Sequence, residues 1–246
     1  MESLVGTSKK ILIICEGTLE VKLFNLLTTI YPLSLNYSFY KYNTNIHILG
    51  NSLKYYFDEE AFEISNIDII QILKEFRYDE VLDFKFTDIL LIFDFDPQDA
   101  RYNDQFLVKL LEYFSDSSNQ GQLFINYPMV ESVIDFHNLP DYHFNHRRVS
   151  RNELVRNQYK IKVKKSSIIG DINNIDITNF KMILFHTFSK IKFLTSANYP
   201  DYLKLLNLEI KLINDTDYID VINTSILFLY EYNQTEFKKF INCSSL

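Results

Sequence analysis

Three carboxylates sit where strand-like runs of the sequence stop. Glu16 follows the apolar, β-branched run Lys10–Cys15, and Asp94 and Asp96 follow Ile89–Phe93. In open α/β sheets, ligands bind outside the carboxyl ends of the strands, where the strand order reverses. If the two runs are neighbouring strands, the three acidic groups converge on one cleft. Asp94 and Asp96 share a side if the chain between them is extended. Two like charges 4 Å apart repel by ~1 kcal/mol in water and ~4 kcal/mol at an effective dielectric of 20. Such a cluster calls for a neutralising cation, and an all-oxygen set favours Mg²⁺ or Mn²⁺. Asp99 is either a fourth oxygen donor or a cap for the helix that follows. The plainer reading of Asp94-Phe95-Asp96-Pro97 is a turn at a strand end.

Hydrophobic spacing indicates the elements that position these groups. Lys10–Cys15 reads as a buried strand and Glu16-Gly17-Thr18 as its end. Leu19, Leu23, Leu26 and Leu27 predict a helix over 19–29, with Glu20 in its first turn, where the helix dipole favours negative charge. Strand, turn and helix open a βαβ unit. Strand-like runs follow around Tyr37–Tyr42 and Ile46–Leu49, then helical spacing over 67–76. Ile89–Phe93 is apolar throughout, as expected of a central parallel strand covered on both faces. A helix over about 103–115, a short strand over 123–126 and a helix over Met129–Phe136 follow. After Ile177 the pattern is helical, over roughly 178–194, 199–213 and 217–240. The expected class is α/β: a core over 1–140 with a mainly parallel sheet, then a basic segment and mostly helical extension over 141–246.

Two of these segments resemble the TOPRIM domain. Ile11–Leu27, with Glu16-Gly17 between strand and helix, is similar to its first motif, and Ile89–Asp99, with Asp94-x-Asp96, to its second; together they span 28 of the 246 residues. The resemblance implies a Rossmann-like core in which Glu16, Asp94 and Asp96 bind Mg²⁺ for phosphoryl transfer on nucleic acid. Asn126-Tyr127-Pro128-Met129-Val130-Glu131 resembles the Asn-Pro-x-x-Glu stretch of RloB-type TOPRIM proteins, with Tyr127 inserted. It makes Glu131 a further metal ligand, or else an exposed helix glutamate. Size and layout also resemble the TOPRIM partners of ABC-type ATPases in phage-defence systems such as PARIS and AbiL. That likeness implies a toxic effector restrained by a partner ATPase. The 78 residues from Glu16 to Asp94 imply an insertion around 35–85 that serves partner docking.

Eight positive charges fall within 19 residues: Arg147, Arg148, Arg151, Arg156, Lys160, Lys162, Lys164 and Lys165, opposed only by Glu153. This run suits phosphate contacts, with Tyr159 able to stack on a base. Otherwise it is a solvated face. Lys160, Lys162 and Lys164 alternate, so on a strand they share one face, and one of them is suited to stabilise charge on a transferring phosphoryl group. The candidate catalytic lysines are Lys162 and Lys164, the others being nucleic-acid contacts. His137, His143 and His146 are too loosely spaced for a zinc site, and His186 is expected to be packed.

Composition limits the alternatives. At 47% apolar and 23% charged residues, the 246-residue chain can bury a sizeable core. A formal charge of −7 rules out whole-chain attraction to nucleic acid, though not a basic patch. Two cysteines, Cys15 and Cys243, cannot make a disulfide scaffold or four-thiolate zinc site. Purely apolar runs of about five residues fall far short of the ~20 that span a bilayer. With no secretory signal legible, a cytoplasmic protein is expected. Phosphate-cradling glycine loops are absent, so any ATPase is a separate chain. The expected function is a metal-dependent nuclease acting on DNA or RNA, tRNA included. The alternative is a non-catalytic interaction or sensor subunit of an ATPase complex. A phosphatase whose first Asp is the nucleophile ranks below both, because Asp94 follows a late strand. The apolar faces beyond 178 suit a homodimer or ordinary packing.

Overall fold

The two strand-like runs that end in carboxylates are neighbours in one sheet. The computed structural model describes residues 9–31, 36–54 and 67–242; Cys243 and residues 32–35 and 55–66, which include part of the expected insertion, lie outside these. Strand β1 (Lys10–Cys15) leads into helix α1 (Thr18–Ile30), strand β2 (Asn36–Lys41) and helices α2 (Ile46–Leu53) and α3 (Ile69–Phe76). Strand β3 (Asp88–Asp94), helix α4 (Asp104–Tyr113) and strands β4 (Ser115–Asp116) and β5 (Gly121–Asn126) follow. The sheet order is β2-β1-β3-β5-β4, parallel except for β4. The chain leaves β1 towards β2 and then returns to the other side of β1, so the switch point lies between β1 and β3. The fold class is therefore α/β with a mostly parallel sheet. β1 and β3 are buried along nearly their whole length, which accounts for their unbroken apolar character.

Several elements differ from the sequence expectation. Ile46–Leu49 belongs to helix α2, not to a strand. The Asn45 side chain accepts the Ile48 N–H at 3.2 Å and caps that helix, and Ile46, Leu49, Gly50 and Leu53 bury one helical face. Met129–Phe136 is not an α-helix but a buried 3₁₀ turn over Val130–Ile134. The Val130 N–H is taken by Asp94 and its carbonyl by Asn223, which holds the segment in place without further helical turns. The basic stretch forms strand β6 (Arg148–Ser150) and helices α5 (Arg151–Leu154) and α6 (Gln158–Ser166). Helices α7 (Ile177–Thr195) and α8 (Tyr202–Thr216) follow as expected. The third expected helix, over 217–240, is broken. Asp217 turns left-handed (φ 63°) at the end of α8, strand β7 (Tyr218–Asp220) pairs antiparallel with β6, and helices α9 (Phe228–Tyr232) and α10 (Gln234–Asn242) come after.

This C-terminal part packs on the core. α8 lies against α4, and the Tyr127 and Ile222 backbones exchange hydrogen bonds of 2.8 and 2.7 Å beyond the end of β5. Among the described residues, no helix is long and apolar enough to cross a membrane. Cys15 is fully buried, as expected of a core residue.

Gly50 lets α2 approach α4 closely. A Cβ there would stand 2.6 Å from the Phe106 ring. Gly50→Ala therefore destabilises the fold by about 1–2 kcal/mol, the overpacking strain exceeding the ~1 kcal/mol of helix propensity that alanine gains. Thermal denaturation reads this directly, and an alanine variant melting above wild type would show that the ring gives way freely.

Candidate active site

The carboxyl ends of β1, β3 and β5 bring the expected carboxylates together. Glu16 follows the last residue of β1, which pairs with Ile92; Asp94 ends β3 and pairs with Asn126 at the end of β5. The Glu20 carboxylate turns back to accept the Gly17 N–H at 3.0 Å and so opens α1. At the end of β3 the Phe95 N–H donates to the carbonyls of Asn126 and Pro128, at 3.0 and 3.2 Å. Asp96 then adopts a left-handed conformation (φ 43°), so the chain does not stay extended through Asp94-Phe95-Asp96 as the shared-side expectation required. His47 of α2 holds this turn. Its Nε2 lies 3.2 and 3.1 Å from the carbonyl oxygens of Phe95 and Asp96, and so must carry the proton and donate. The Asp94 carboxylate accepts the Val130 N–H at 2.8 Å, which fixes the turn bearing Glu131.

Five carboxylates share this region. Glu20, Asp94 and Glu131 are buried, and Glu16 and Asp96 are half-buried. Burial pushes the Glu16 carboxyl up to about 8, with repulsion from Asp96 and Glu20 adding to it. Asp94 is pushed well above the usual carboxylate range, by burial first and then by Glu16, Glu20, Asp96 and Glu131. Burial also raises Glu20 and Asp96. Among the described residues, the Lys160 ammonium answers them. Lys160 on α6 stands 3.4 Å from a Glu131 oxygen. Burial works against its charge, but Glu131, Asp94 and Glu16 outweigh that and raise its pKa.

The donor set fits a hard divalent cation. Glu16 Oε2 and Glu131 Oε2 are buried with no hydrogen-bond partner, and so is Asn126 Nδ2. Buried orphan oxygens among mutually repelling carboxylates are what a bound cation would satisfy. Among the described residues, however, no three carboxylate, imidazole or thiolate groups stand ready as a metal site. The fit thus rests on charge and orphaned oxygens, and ligation would have to draw the side chains together.

Other expected site residues lie elsewhere. Asp99 is engaged by Arg101 through two guanidinium bonds of 2.8 and 2.7 Å and by Asn45 at 2.6 Å, and Arg101 holds its carboxyl well below the usual range. It does not cap α4, whose cap is Asn103. The lysines alternate on a helix, not a strand, so Lys160 and Lys162 point to different sides. Lys162 pairs with Glu153 at 2.5 Å, and Lys164 is exposed. Arg147, nearly buried, bridges Asp135 and Asp141 and is a structural cation; Arg148 meets Asp220 and Arg151 meets Asp217, and both remain partly exposed. Tyr159 is buried and donates to Asp135 at 3.0 Å, and so cannot stack on a base. Among the described residues, Arg156, Lys164 and Lys165 are exposed and form no ion pair. His186 is packed, its Nε2 accepting the Asp141 N–H at 2.9 Å.

Glu20 and His47 belong to the site although the sequence does not mark them as site residues, and Asn126, the first residue of the Asn126–Glu131 stretch, lies beside them. In the sequence Glu20 reads as a first-turn acid; three residues after Gly17, it stands where a glutamate reaches back to the N–H that opens the helix. His47 carries no such signal. No protein-family model matches the chain, and neither does any curated protein or solved structure.

Proposed function

We propose that the protein is a Mg²⁺- or Mn²⁺-dependent nuclease that hydrolyses phosphodiester bonds in nucleic acid. One observation carries this reading: Glu16, Glu20, Asp94, Asp96 and Glu131 gather around Lys160 at the switch point of a parallel sheet. Glu16, Asp94, Asp96 and Glu131 would hold the cation. When bound, it stabilises charge on the phosphoryl group and helps to activate the attacking water. Asp94 is oriented by the Val130 N–H and Asp96 by the His47-bound turn. Lys160 supplies positive charge where the phosphoryl oxygens become more negative. Arg156, Lys164 and Lys165 offer phosphate contacts that set the strand's register. Through the TOPRIM resemblance, the proposal extends to an antiviral effector held inactive by a partner ATPase.

A second reading, an interaction subunit whose cleft binds no ion, is favoured by the lack of a preassembled ligand set among the described residues. Incubation with single-stranded DNA, duplex DNA and RNA, in Mg²⁺ or Mn²⁺ and then in chelator, separates the two. The nuclease reading expects cleavage that the chelator abolishes.

The lysines give a sharper test. Lys160→Ala lowers cleavage by about 10²-fold or more, the scale of removing one preorganised charge-stabilising donor. Lys162→Ala changes it little, because that ammonium is spent on Glu153. The opposite ranking would return the catalytic role to Lys162.

A further inference from the structure

A second feature borders the carboxylate turn and is not used by the chemistry above. A cavity of about 260 Å³ lies between α2 and the β3–α4 loop, lined among others by His47, Asn51, Lys54, Arg101, Tyr102 and Phe106. We propose that it is a subsite for a single unpaired nucleobase, which makes single-stranded or looped nucleic acid the substrate class. The biological use of the subsite rests on the nuclease reading; the binding itself does not.

Size argues first. Pockets for drug-sized ligands run from about 300 to 1,000 Å³, so this one takes a single ring system and not a duplex. The lining argues next. His47, Tyr102 and Phe106 present ring surfaces, and every base has a π-face that can stack on them. Tyr102 is held edge-on to His47 and to Phe95, at centroid distances of 5.6 and 5.7 Å. Its hydroxyl is buried with no hydrogen-bond partner among the described residues, so the ring and not the hydroxyl faces the cavity's occupant. Burial pushes that hydroxyl up to about 12, so it is a neutral donor. Asn51 is exposed and offers an amide donor and acceptor, the means by which a base edge is read.

Charge argues third. Lys54 and Arg101 are exposed on this cavity, and Arg101 is fixed by its two bonds to Asp99. Arg101 is thereby neutralised, and Lys54 provides the local attraction for the phosphate of a nucleotide in a chain that is acidic overall. Placement argues last. His47 lines the cavity and also donates to the Asp96 carbonyl at 3.1 Å. One side chain therefore forms a wall of the cavity and supports the carboxylate turn.

The test is binding of the four ribonucleoside 5′-monophosphates to the full chain in chelator, read by saturation-transfer NMR and calorimetry. Nucleosides and inorganic phosphate serve as separate probes. Wild type is expected to bind at least one nucleotide with a dissociation constant of about a millimolar or tighter, and its parent nucleoside more weakly. Asn51→Ala/Lys54→Ala, both at exposed positions, is expected to weaken binding at least fivefold. Asp94→Asn is expected to leave binding within twofold. Binding of inorganic phosphate alone, no binding of any nucleotide, or binding indifferent to the double variant would overturn the subsite. Nucleotide binding by a protein that cleaves nothing would support the subsite and count against the nuclease reading, so the two fail separately.

Discussion

Asp94→Asn is expected to abolish cleavage and yet to melt above wild type at pH 8 in chelator. Asparagine keeps the shape of the side chain and an oxygen to accept the Val130 N–H, which Asp94 binds at 2.8 Å. It removes a buried charge that burial and four neighbouring carboxylates oppose. Divalent-cation affinity should fall at least about tenfold and cleavage by about 10³-fold, as for removal of a main electrostatic element. The gain in stability should be about 1 kcal/mol, or ~2–4 °C in a chain of this size. The pH dependence has a definite sign. Glu16 moves from an ordinary 4.5 to about 8 on folding, so the folded state binds the extra proton. The stability it contributes is complete below pH 4.5 and is lost as pH rises towards 8. Wild type in chelator should therefore melt lower at pH 8 than at pH 5. Asp94→Asn should flatten that slope, because it removes a second carboxyl that folding pushes up. An Asn variant that melts well below wild type at pH 8 would show that the cluster stabilises the fold and is not strained for function.

Asp220→Ala is expected to be among the most damaging single changes in the chain, although Asp220 takes no part in the chemistry. Lys190 is completely buried on α7, where its ammonium donates to the Arg147 carbonyl at 2.6 Å and meets Asp220 at 3.1 Å. It also lies 5.1 Å from the centre of the Phe144 ring. Burial pulls the Lys190 pKa down, and Asp220 works against this. Glu209, also buried, accepts the Asp220 N–H at 3.0 Å, and burial pushes its carboxyl well up. Removing Asp220 leaves the ammonium without its nearest counter-ion, a loss of about 3–5 kcal/mol. That corresponds to a fall of roughly 10 °C. Lys190→Met in the same background should recover part of it, because a buried pair replaced on both sides costs far less than one broken on one side. The segment after β7 transmits the damage to the site. Thr224 donates to the Ile125 carbonyl at 2.8 Å, Asn223 to Val130 at 3.1 Å and the Ser225 N–H to Asn126 at 3.2 Å. Melting curves of the single and double variants check this, and a single-variant loss under about 1 kcal/mol would contradict it.

The parts of the fold that were legible in the sequence are those set by hydrophobic runs. Ile89–Phe93 reads as a central strand because both its faces are buried, and Glu16 with Asp94 reads as a cleft because both end adjacent strands. Lys160 illustrates the limit. Lys160, Lys162 and Lys164 alternate as on a strand, while the competing signal is Tyr159 and Val163, four apart and both buried on α6. Period two and period 3.6 cannot be told apart over so short a stretch. The same ambiguity hid α2, although Asn45 before Ile46 was a cap signal. The basic run misled for a different reason. Arg147, Arg148 and Arg151 are neutralised by Asp135, Asp141, Asp220 and Asp217, and most of those partners are remote in sequence. Charge pairing of that kind follows from tertiary structure and is invisible to local composition.

The central claim is that the carboxylate cluster takes a divalent cation. Calorimetric titration of Mg²⁺ and Mn²⁺ into wild type and Asp94→Asn, in two buffers of different ionisation enthalpy at pH 7, tests it most directly. Carboxylates held up by burial and repulsion must give up protons to bind a cation. The expected result is saturable binding by wild type with release of about one proton per ion or more, and loss of that signal in the folded variant. No ion binding by folded wild type, with or without nucleic acid present, or equal binding by the variant, would contradict the claim.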